Sequence, residues 1–218
     1  MEKILFIAYQ FPPRGGPGVH RSLNLVKHLR EFGYDPIVLT IDEKSIRDAG
    51  GPYDETLLSG IPADIEIVRT PAHEPKKFTR LMMKLRLYRL AWFFFYPLLW
   101  ETAARWPGKV YPVAEELVRK HGIRLVYTTS GPFSSLFIGR KLKHRLGIKW
   151  VADLRDPFTD AYAWLFPGKF HWYLARRMEK KILGDADKII LNTNATHKLF
   201  LQRGIGSPEK NTVITNGF

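Results

Sequence analysis

Apolar runs alternate with amphipathic stretches along most of the chain. Short runs rich in β-branched and aromatic residues predict strands, because few polar positions interrupt them. The predicted strands cover residues 3–9, 36–40, 65–68, 123–129, 148–152, 188–192 and 211–215. Between several of them apolar residues recur at helical spacing, and each such segment is followed by a glycine, a common helix stop. The predicted helices cover residues 19–32, 110–121, 134–146, 169–183 and 195–203.

This order of elements predicts an α/β fold. Strands with little polar alternation, separated by helices, are typical of a parallel sheet covered on both faces, so we expect a Rossmann-like, doubly wound domain. Ligands of such folds bind in the crevice at the carboxyl ends of the strands. The loops to search first are therefore residues 10–18, 41–60, 129–135, 153–165, 192–194 and 216–218.

Composition narrows the class of protein. The 218 residues include no Cys, which excludes disulfides and thiolate metal sites and is typical of a reducing compartment. The first apolar run is too short for a signal-peptide core, and no run reaches the length of about 18 residues that a membrane-spanning helix needs. We therefore expect a cytoplasmic protein.

The charge is strongly positive. Thirty-four Lys and Arg oppose 21 Asp and Glu, for a formal net charge of +13. Such an excess predicts an anionic partner, which could be a nucleic acid, a phosphorylated substrate or an acidic membrane surface.

The first candidate loop, FPPRGGPGVHR at residues 11–21, is rich in proline and glycine. Glycine allows close approach to the backbone, and the N-terminus of the following helix attracts anions, so the loop predicts an anion cradle. The alternative is a tight turn without a ligand. Arg21 stands where a dinucleotide fingerprint needs its third glycine, which argues against a nucleotide-sugar dehydrogenase.

The second candidate loop follows the predicted strand at 148–152. Asp153, Arg155, Asp156 and Asp160 lie within eight positions. Aspartates can accept hydrogen bonds from sugar hydroxyls or take a proton, and arginine can pair with a phosphate or carboxylate. The alternative is an internal Arg155 salt bridge with a turn at Asp156-Pro157. The D-x-D spacing of nucleotide-sugar metal sites is absent, so we expect no metal.

Five segments taken in order resemble family 4 glycosyltransferases. They are PPRGGPG at 12–18, SGPFSS at 130–135, WVADLRDP at 150–157, ADKIILNT at 186–193 and TVITNGF at 212–218. The resemblance implies the GT-B architecture, in which two Rossmann-like domains face each other across a cleft. It implies that residues 1–218 are the N-terminal, acceptor-side domain with an insertion at 69–109, and that the donor domain is absent from this chain.

The resemblance also implies an activity and its residues. It implies retaining transfer of a sugar from a nucleotide-sugar substrate, without a metal or other cofactor. It makes Asp153 and Asp156 the candidate catalytic residues. The candidate substrate-binding residues are Gly15, Gly16, Gly18, His20, Arg21, Ser130, Arg155 and Asn216. Relatives often carry a histidine within the segment matching 131–136, where this chain has Phe133 and Leu136, so we carry over no histidine role there.

Residues 76–100 form a basic and aromatic segment with six Lys or Arg, eight aromatic residues and no acid. Its apolar run at 90–100 would be about 16 Å long as a helix, half of a hydrocarbon core, so it predicts monotopic membrane association. The alternatives are packing into the core or against the second domain, or binding of single-stranded nucleic acid; contiguous aromatics disfavour nucleic acid. The predicted membrane contacts are Lys76, Lys77, Arg80, Lys84, Trp92, Phe94 and Trp100.

Together these features predict a glycosyltransferase domain that binds a lipid-linked or saccharide acceptor at the inner face of the cell membrane. The competing hypothesis is a non-catalytic module that binds an anionic membrane or nucleic acid.

Overall fold

A computed structural model describes residues 1–72, 105–161 and 166–216, together with residues 81, 84, 85, 87 and 93. The strands are β1 Glu2–Ile7, β2 Tyr34–Ile41, β3 Ile67–Thr70, β4 Leu125–Thr129, β5 Lys149–Leu154, β6 Lys188–Leu191 and β7 Asn211–Val213. The α-helices are α1 Pro17–His28, α2 Glu43–Ala49, α3 Trp106–His121, α4 Ser135–Leu146, α5 Phe158–Ala161, α6 Lys169–Asp185 and α7 Asn194–Gln202. Short 3₁₀ helices cover Leu29–Phe32 and Glu55–Gly60.

The described strands form one sheet in the order β3-β2-β1-β4-β5-β6-β7, and every pairing is parallel. The prediction of a Rossmann-like, doubly wound α/β fold is confirmed. From β1 the chain first adds β2 and β3 on one side of the sheet and then β4 to β7 on the other side. The direction of the strand order therefore reverses between β1 and β4. The carboxyl ends of β1 and β4 flank this reversal point, which is where open α/β sheets bind ligands.

The two faces of the sheet are covered unequally. A large cluster that includes Leu5, Leu39, Val126 and Trp150 packs one face against α3, α4 and α6. A smaller cluster that includes Phe6 and Val38 packs the other face against α1. Neighbouring side chains of a strand point to opposite faces of the sheet. Because both faces are buried, both sets of side chains are apolar, which explains the continuous apolar runs in the sequence.

Two helices were not predicted, and both lie in loops that the strand-end rule selects. Helix α2 starts after Asp42, whose carboxylate accepts a hydrogen bond from the backbone N–H of Ser45 at 2.7 Å. Helix α5 has four residues, too few to show helical periodicity in the sequence.

Most of the basic and aromatic segment lies outside the described residues, including Lys76, Lys77, Arg80, Trp92, Phe94 and Trp100. Lys84 is described and exposed. Phe93 packs against His171 of α6, with ring centroids 4.7 Å apart, and a ring nitrogen of His171 lies 3.0 Å from the Phe93 carbonyl oxygen. Among the described residues no helix is both long and apolar enough to cross a bilayer. The membrane contacts stay a prediction.

Candidate functional site

The carboxyl ends of β1, β4 and β5 bring the opening loop and the carboxylate loop together. The backbone N–H of Ser130 donates to the carbonyl of Asp153 at 2.8 Å, and the N–H of Arg155 donates to Ser130 Oγ at 3.1 Å. Arg155 then reaches across to Gln10, the third residue after β1. Segments that are more than a hundred residues apart in the sequence thus form one wall at the reversal point of the sheet.

Arg155 carries the clearest electrostatic feature of this wall. Its Nη1 donates to Gln10 Oε1 at 3.0 Å and its Nη2 donates to Ser22 Oγ at 3.3 Å. Both acceptors are uncharged, and none of the ion pairs among the described residues involves this guanidinium. Burial lowers the pKa of Arg155, which still leaves a guanidinium charged at neutral pH. The edge therefore presents a half-buried cation without a direct counterion, an arrangement suited to an anionic group.

Gly18 and Gly131 make room for this cation. A Cβ at Gly18 would lie 1.7 Å from Gln10 Oε1 and 2.1 Å from Arg155 Nη1, far inside contact distance. Gly131 has φ +108, a conformation that L side chains rarely adopt, and it also faces Gln10 and Arg155. A side chain at position 18 would therefore push the tips of Gln10 and Arg155 aside, whereas glycine leaves both in place.

Asp153 and Arg21 form a buried ion pair behind this wall. Arg21 Nε lies 3.0 Å from one carboxylate oxygen and Nη2 lies 2.7 Å from the other, and the Asp153 side chain is fully buried. Burial opposes the charge on Arg21, but the hydrogen bond and charge of Asp153 outweigh it and raise the pKa of the guanidinium. Burial, followed by the Asp153 charge, raises the pKa of Tyr127 well above its ordinary value.

The remaining nitrogen of Arg21 binds the end of the described chain. Nη1 donates to the carbonyl of Ile214 at 3.0 Å and to Asn216 Oδ1 at 3.2 Å. The backbone N–H of Asn216 in turn donates to Asn192 Oδ1 at 3.0 Å. Arg21 and Asn216, both predicted to bind substrate, are therefore brought together and bonded to each other.

The other predicted site residues differ in exposure. Gly15 is buried and its N–H donates to the Pro52 carbonyl at 2.8 Å, so that donor is used within the protein. Gly16 precedes α1 with φ 99. Ser130 is buried, whereas His20 on α1 and Asp156 after β5 are exposed. Of the two candidate catalytic carboxylates, Asp156 is thus the one that solvent reaches.

Comparison with known proteins identifies the family. A family model described as "Glycosyl transferase 4-like domain" matches residues 15–217. The chain belongs to this family. The match includes every candidate site residue from Gly15 to Asn216, and it confirms the resemblance seen in the sequence. Among curated proteins, none matches this glycosyl transferase 4-like domain.

Solved structures share its fold at low sequence identity. A glycosyltransferase from Rickettsia africae ESF-5 is 15% identical, with TM-score 0.52, over 99% of this chain and 43% of that one. S. aureus MnaA, solved with UDP, is 15% identical with TM-score 0.54, over 98% of this chain and 43% of that one. UDP-GlcNAc 2-epimerase from Methanocaldococcus jannaschii is 12% identical with TM-score 0.54, over 99% and 46%. The domain thus spans less than half the length of these structures.

A groove of about 560 Å³ runs beside the ion pair, between α1 and residues 214–216. Its lining is mostly apolar and includes two exposed histidines, His20 and His28. The lining residues are Pro17, His20, Arg21, Asn24, Leu25, His28, Leu29, Phe32, Ile214, Thr215 and Asn216.

Sequence reasoning missed the residues that hold Arg155. Gln10 comes shortly after β1, so the strand-end rule could have selected it, whereas Ser22 is a polar residue on the buried stripe of α1. It also assigned Asp160 to the carboxylate cluster. Asp160 instead pairs with Arg203, whose Nη2 donates to the fully buried Glu179 at 2.6 Å. Glu179 also accepts from Thr159 Oγ1 at 2.6 Å, so these groups anchor the loop after β5.

Gly18→Ala is expected to destabilise the domain, because the added methyl group collides with Gln10 and Arg155. The contacted atoms of both residues are tips of long side chains that can move aside, so we expect a cost in the free energy of unfolding of about 1 kcal/mol, the low end for overpacking. Gly108→Ala is the matched control, since a Cβ there meets nothing within 4 Å. Because Gly108 lies inside helix α3, that control should gain stability. Denaturant unfolding of both variants checks the prediction; equal behaviour would contradict it.

Proposed function

We propose that this domain is the acceptor-side half of a retaining glycosyltransferase that moves a sugar from a nucleotide-sugar to a lipid-linked or saccharide acceptor. The proposal rests chiefly on Arg155, a half-buried cation with uncharged partners at the reversal point of the sheet. Family membership supports sugar transfer as the reaction class. The proposal assigns no metal or cofactor to this domain; the nucleotide-sugar is a substrate.

The chemistry of the reaction explains the arrangement. Transfer from a nucleotide-sugar develops positive charge at the sugar carbon and negative charge on the departing diphosphate, and fixed donors or cations stabilise that anion. Arg155 is held by Gln10 and Ser22 before any ligand arrives, so little reorganisation is needed. The partial positive charge at the N-terminus of α1, which begins at Pro17, adds a second anion-attracting element beside it. In this proposal the second domain of the GT-B architecture supplies the remaining donor contacts.

In this proposal the two aspartates have different roles. Asp156 is exposed at the end of β5 and can accept a hydrogen bond or a proton from an acceptor hydroxyl. Asp153 is fully buried against Arg21, so it positions the loop and does not touch the acceptor. Of the two candidate catalytic residues predicted from the sequence, we therefore propose only Asp156 as catalytic.

The test is Asp156→Ala in the complete protein. Loss of a general acid–base group typically lowers turnover about 100- to 10,000-fold. We expect sugar transfer to fall in that range while thermal unfolding stays unchanged, because the side chain is exposed. Glu116→Ala removes an exposed acid on α3 and serves as the control. Unchanged transfer by Asp156→Ala, or equal losses in both variants, would count against the assignment.

We further propose that the enzyme works at the inner face of the cell membrane, in polysaccharide or glycolipid synthesis. The net charge of +13 supports attraction to an anionic leaflet. Leu81, Leu85, Leu87 and Phe93, the described apolar residues of the basic and aromatic segment, are each about half exposed. Exposed apolar groups beside cations are typical of proteins that lie on a membrane.

A further inference from the structure

Helix α6 carries an unusual stripe of exposed residues on its outward side. The residues recur at helical spacing, so they share one face, and all of them are exposed. The stripe, called the α6 stripe below, consists of Phe170, Tyr173, Leu174, Arg177, Lys180 and Lys181.

The first half of the α6 stripe is apolar where a solvent-facing helix should be polar. Phe170, Tyr173 and Leu174 are 68%, 53% and 46% exposed. Single exposed apolar residues are common, but three large ones on adjacent positions of one face form a patch, and such patches mark interaction sites.

The second half of the α6 stripe is cationic. Arg177, Lys180 and Lys181 follow the apolar patch along the same face. Neither acid of the helix neutralises them: Glu179 is buried and bonded to Arg203, and Asp185 is bonded to Arg140 at 2.6 Å. The stripe therefore offers aromatic and aliphatic side chains next to uncompensated positive charge.

We propose that the α6 stripe docks the protein on an anionic phospholipid bilayer. Phe170, Tyr173 and Leu174 enter the headgroup boundary, where amphipathic aromatic side chains are favoured. Arg177, Lys180 and Lys181 bind lipid phosphates, each contributing through the negative surface potential of the leaflet. A protein or the second domain could also cover an apolar patch, but the all-positive half of the stripe is complementary to an anionic surface.

The position of the α6 stripe ties it to the site. Helix α6 connects the parallel strands β5 and β6, so it starts at the carboxyl edge of the sheet. Trp172 in its first turn donates from Nε1 to the carbonyl of Thr159 at 3.0 Å, in helix α5, which follows β5. Phe93 of the basic and aromatic segment packs against His171 in the same turn. This inference rests on the proposed function, because docking here places the acceptor wall near the bilayer that would hold a lipid-linked acceptor.

The test compares binding of the complete protein to phosphatidylcholine vesicles with and without phosphatidylglycerol. Arg177→Glu/Lys180→Glu/Lys181→Glu should lower partitioning onto the anionic vesicles at least about 100-fold, at roughly a factor of five for each basic residue lost. Phe170→Ser/Leu174→Ser should lower it on both vesicle types. Circular dichroism should show native folding for every variant, since all these side chains are exposed.

Matched controls separate the α6 stripe from general charge and hydrophobicity. Lys27→Glu/Lys44→Glu/Lys198→Glu changes the net charge equally at exposed sites elsewhere, and Phe32→Ser removes a side chain that is 75% exposed beside α1. The proposal would be overturned if the stripe variants bound vesicles as tightly as these controls do. It would also be overturned if wild-type protein ignored vesicles but bound a single-stranded oligonucleotide, or self-associated, through the same residues.

Failure of this inference is distinguishable from failure of the proposed function. Sugar transfer to a soluble saccharide acceptor should persist in the stripe variants while vesicle binding is lost. If the stripe variants lose vesicle binding but the wild-type protein transfers no sugar, the docking surface is supported and the enzymatic proposal is rejected. If the stripe variants retain vesicle binding and sugar transfer, the docking surface is rejected and the enzymatic proposal is not.

Discussion

Asp153→Ala is expected to lower the free energy of unfolding by about 3–5 kcal/mol, the usual cost of removing one partner of a buried ion pair. The Asp153 side chain has no solvent exposure and Arg21 has 7%, so the mutation leaves a buried guanidinium without its counterion. Arg21 also binds the Ile214 carbonyl, so loosening of residues 214–216 should accompany the loss. Denaturant unfolding followed by fluorescence measures the change.

A surface pair provides the comparison for that experiment. His28 and Glu31 lie 2.7 Å apart, but both side chains are more than half exposed, so Glu31→Ala should cost less than about 1 kcal/mol. If Asp153→Ala costs no more than Glu31→Ala, the ion pair does not hold the loops together. Replacing the buried pair by apolar residues, as in Arg21→Met/Asp153→Leu, should recover part of the lost stability.

Arg155→Gln is expected to lower sugar transfer by the complete protein about 100-fold, because one fixed donor to a developing anion typically contributes at least that much. Gln10 and Ser22 can still find hydrogen bonds with a glutamine or water, so unfolding should change little. Steady-state kinetics should show the loss mainly in kcat, since the negative charge on the diphosphate grows as the sugar departs.

Arg140→Gln is the control for this prediction. Arg140 is also partly buried, but its Nε donates to Asp185 at 2.6 Å, at the opposite edge of the sheet from Arg155. Its loss should affect stability and leave kcat unchanged. A normal rate for Arg155→Gln, or equal loss of activity in both variants, would show that the Arg155 cation is not used in the reaction.

The fold could be predicted from sequence because its signals are local. Residues 4–7 of strand β1 are one continuous apolar run, and helix α4 shows an apolar stripe that ends at Gly147, so neither needs information from elsewhere in the chain. Helix α2 also has a local signal, because Asp42 is a typical N-cap residue, but the pattern of apolar residues does not include this signal. The strand order could not be derived, because the sequence does not show on which side of the sheet each helical crossover places the next strand.

The candidate site was predictable only in part. The strand-end rule selects the loops of Arg155 and Gly18 correctly, since it depends only on where strands end. It does not say which side chains meet. Arg21 and Asp153 are 132 positions apart, and their pairing depends on the angle at which α1 crosses the sheet. Nothing in the sequence distinguishes this pair from the alternative, an Arg155 salt bridge, which does not form among the described residues.

The two-sided use of Arg21 restricts what can occupy that position. One edge of its planar fork faces Asp153 and the remaining nitrogen faces residues 214–216, so a lysine ammonium, with a single nitrogen, would have to abandon one side. A single rigid side chain therefore couples the last described residues to the end of β5. A displacement of residues 214–216 would therefore be transmitted through Arg21 to Asp153, next to the loop that carries Arg155.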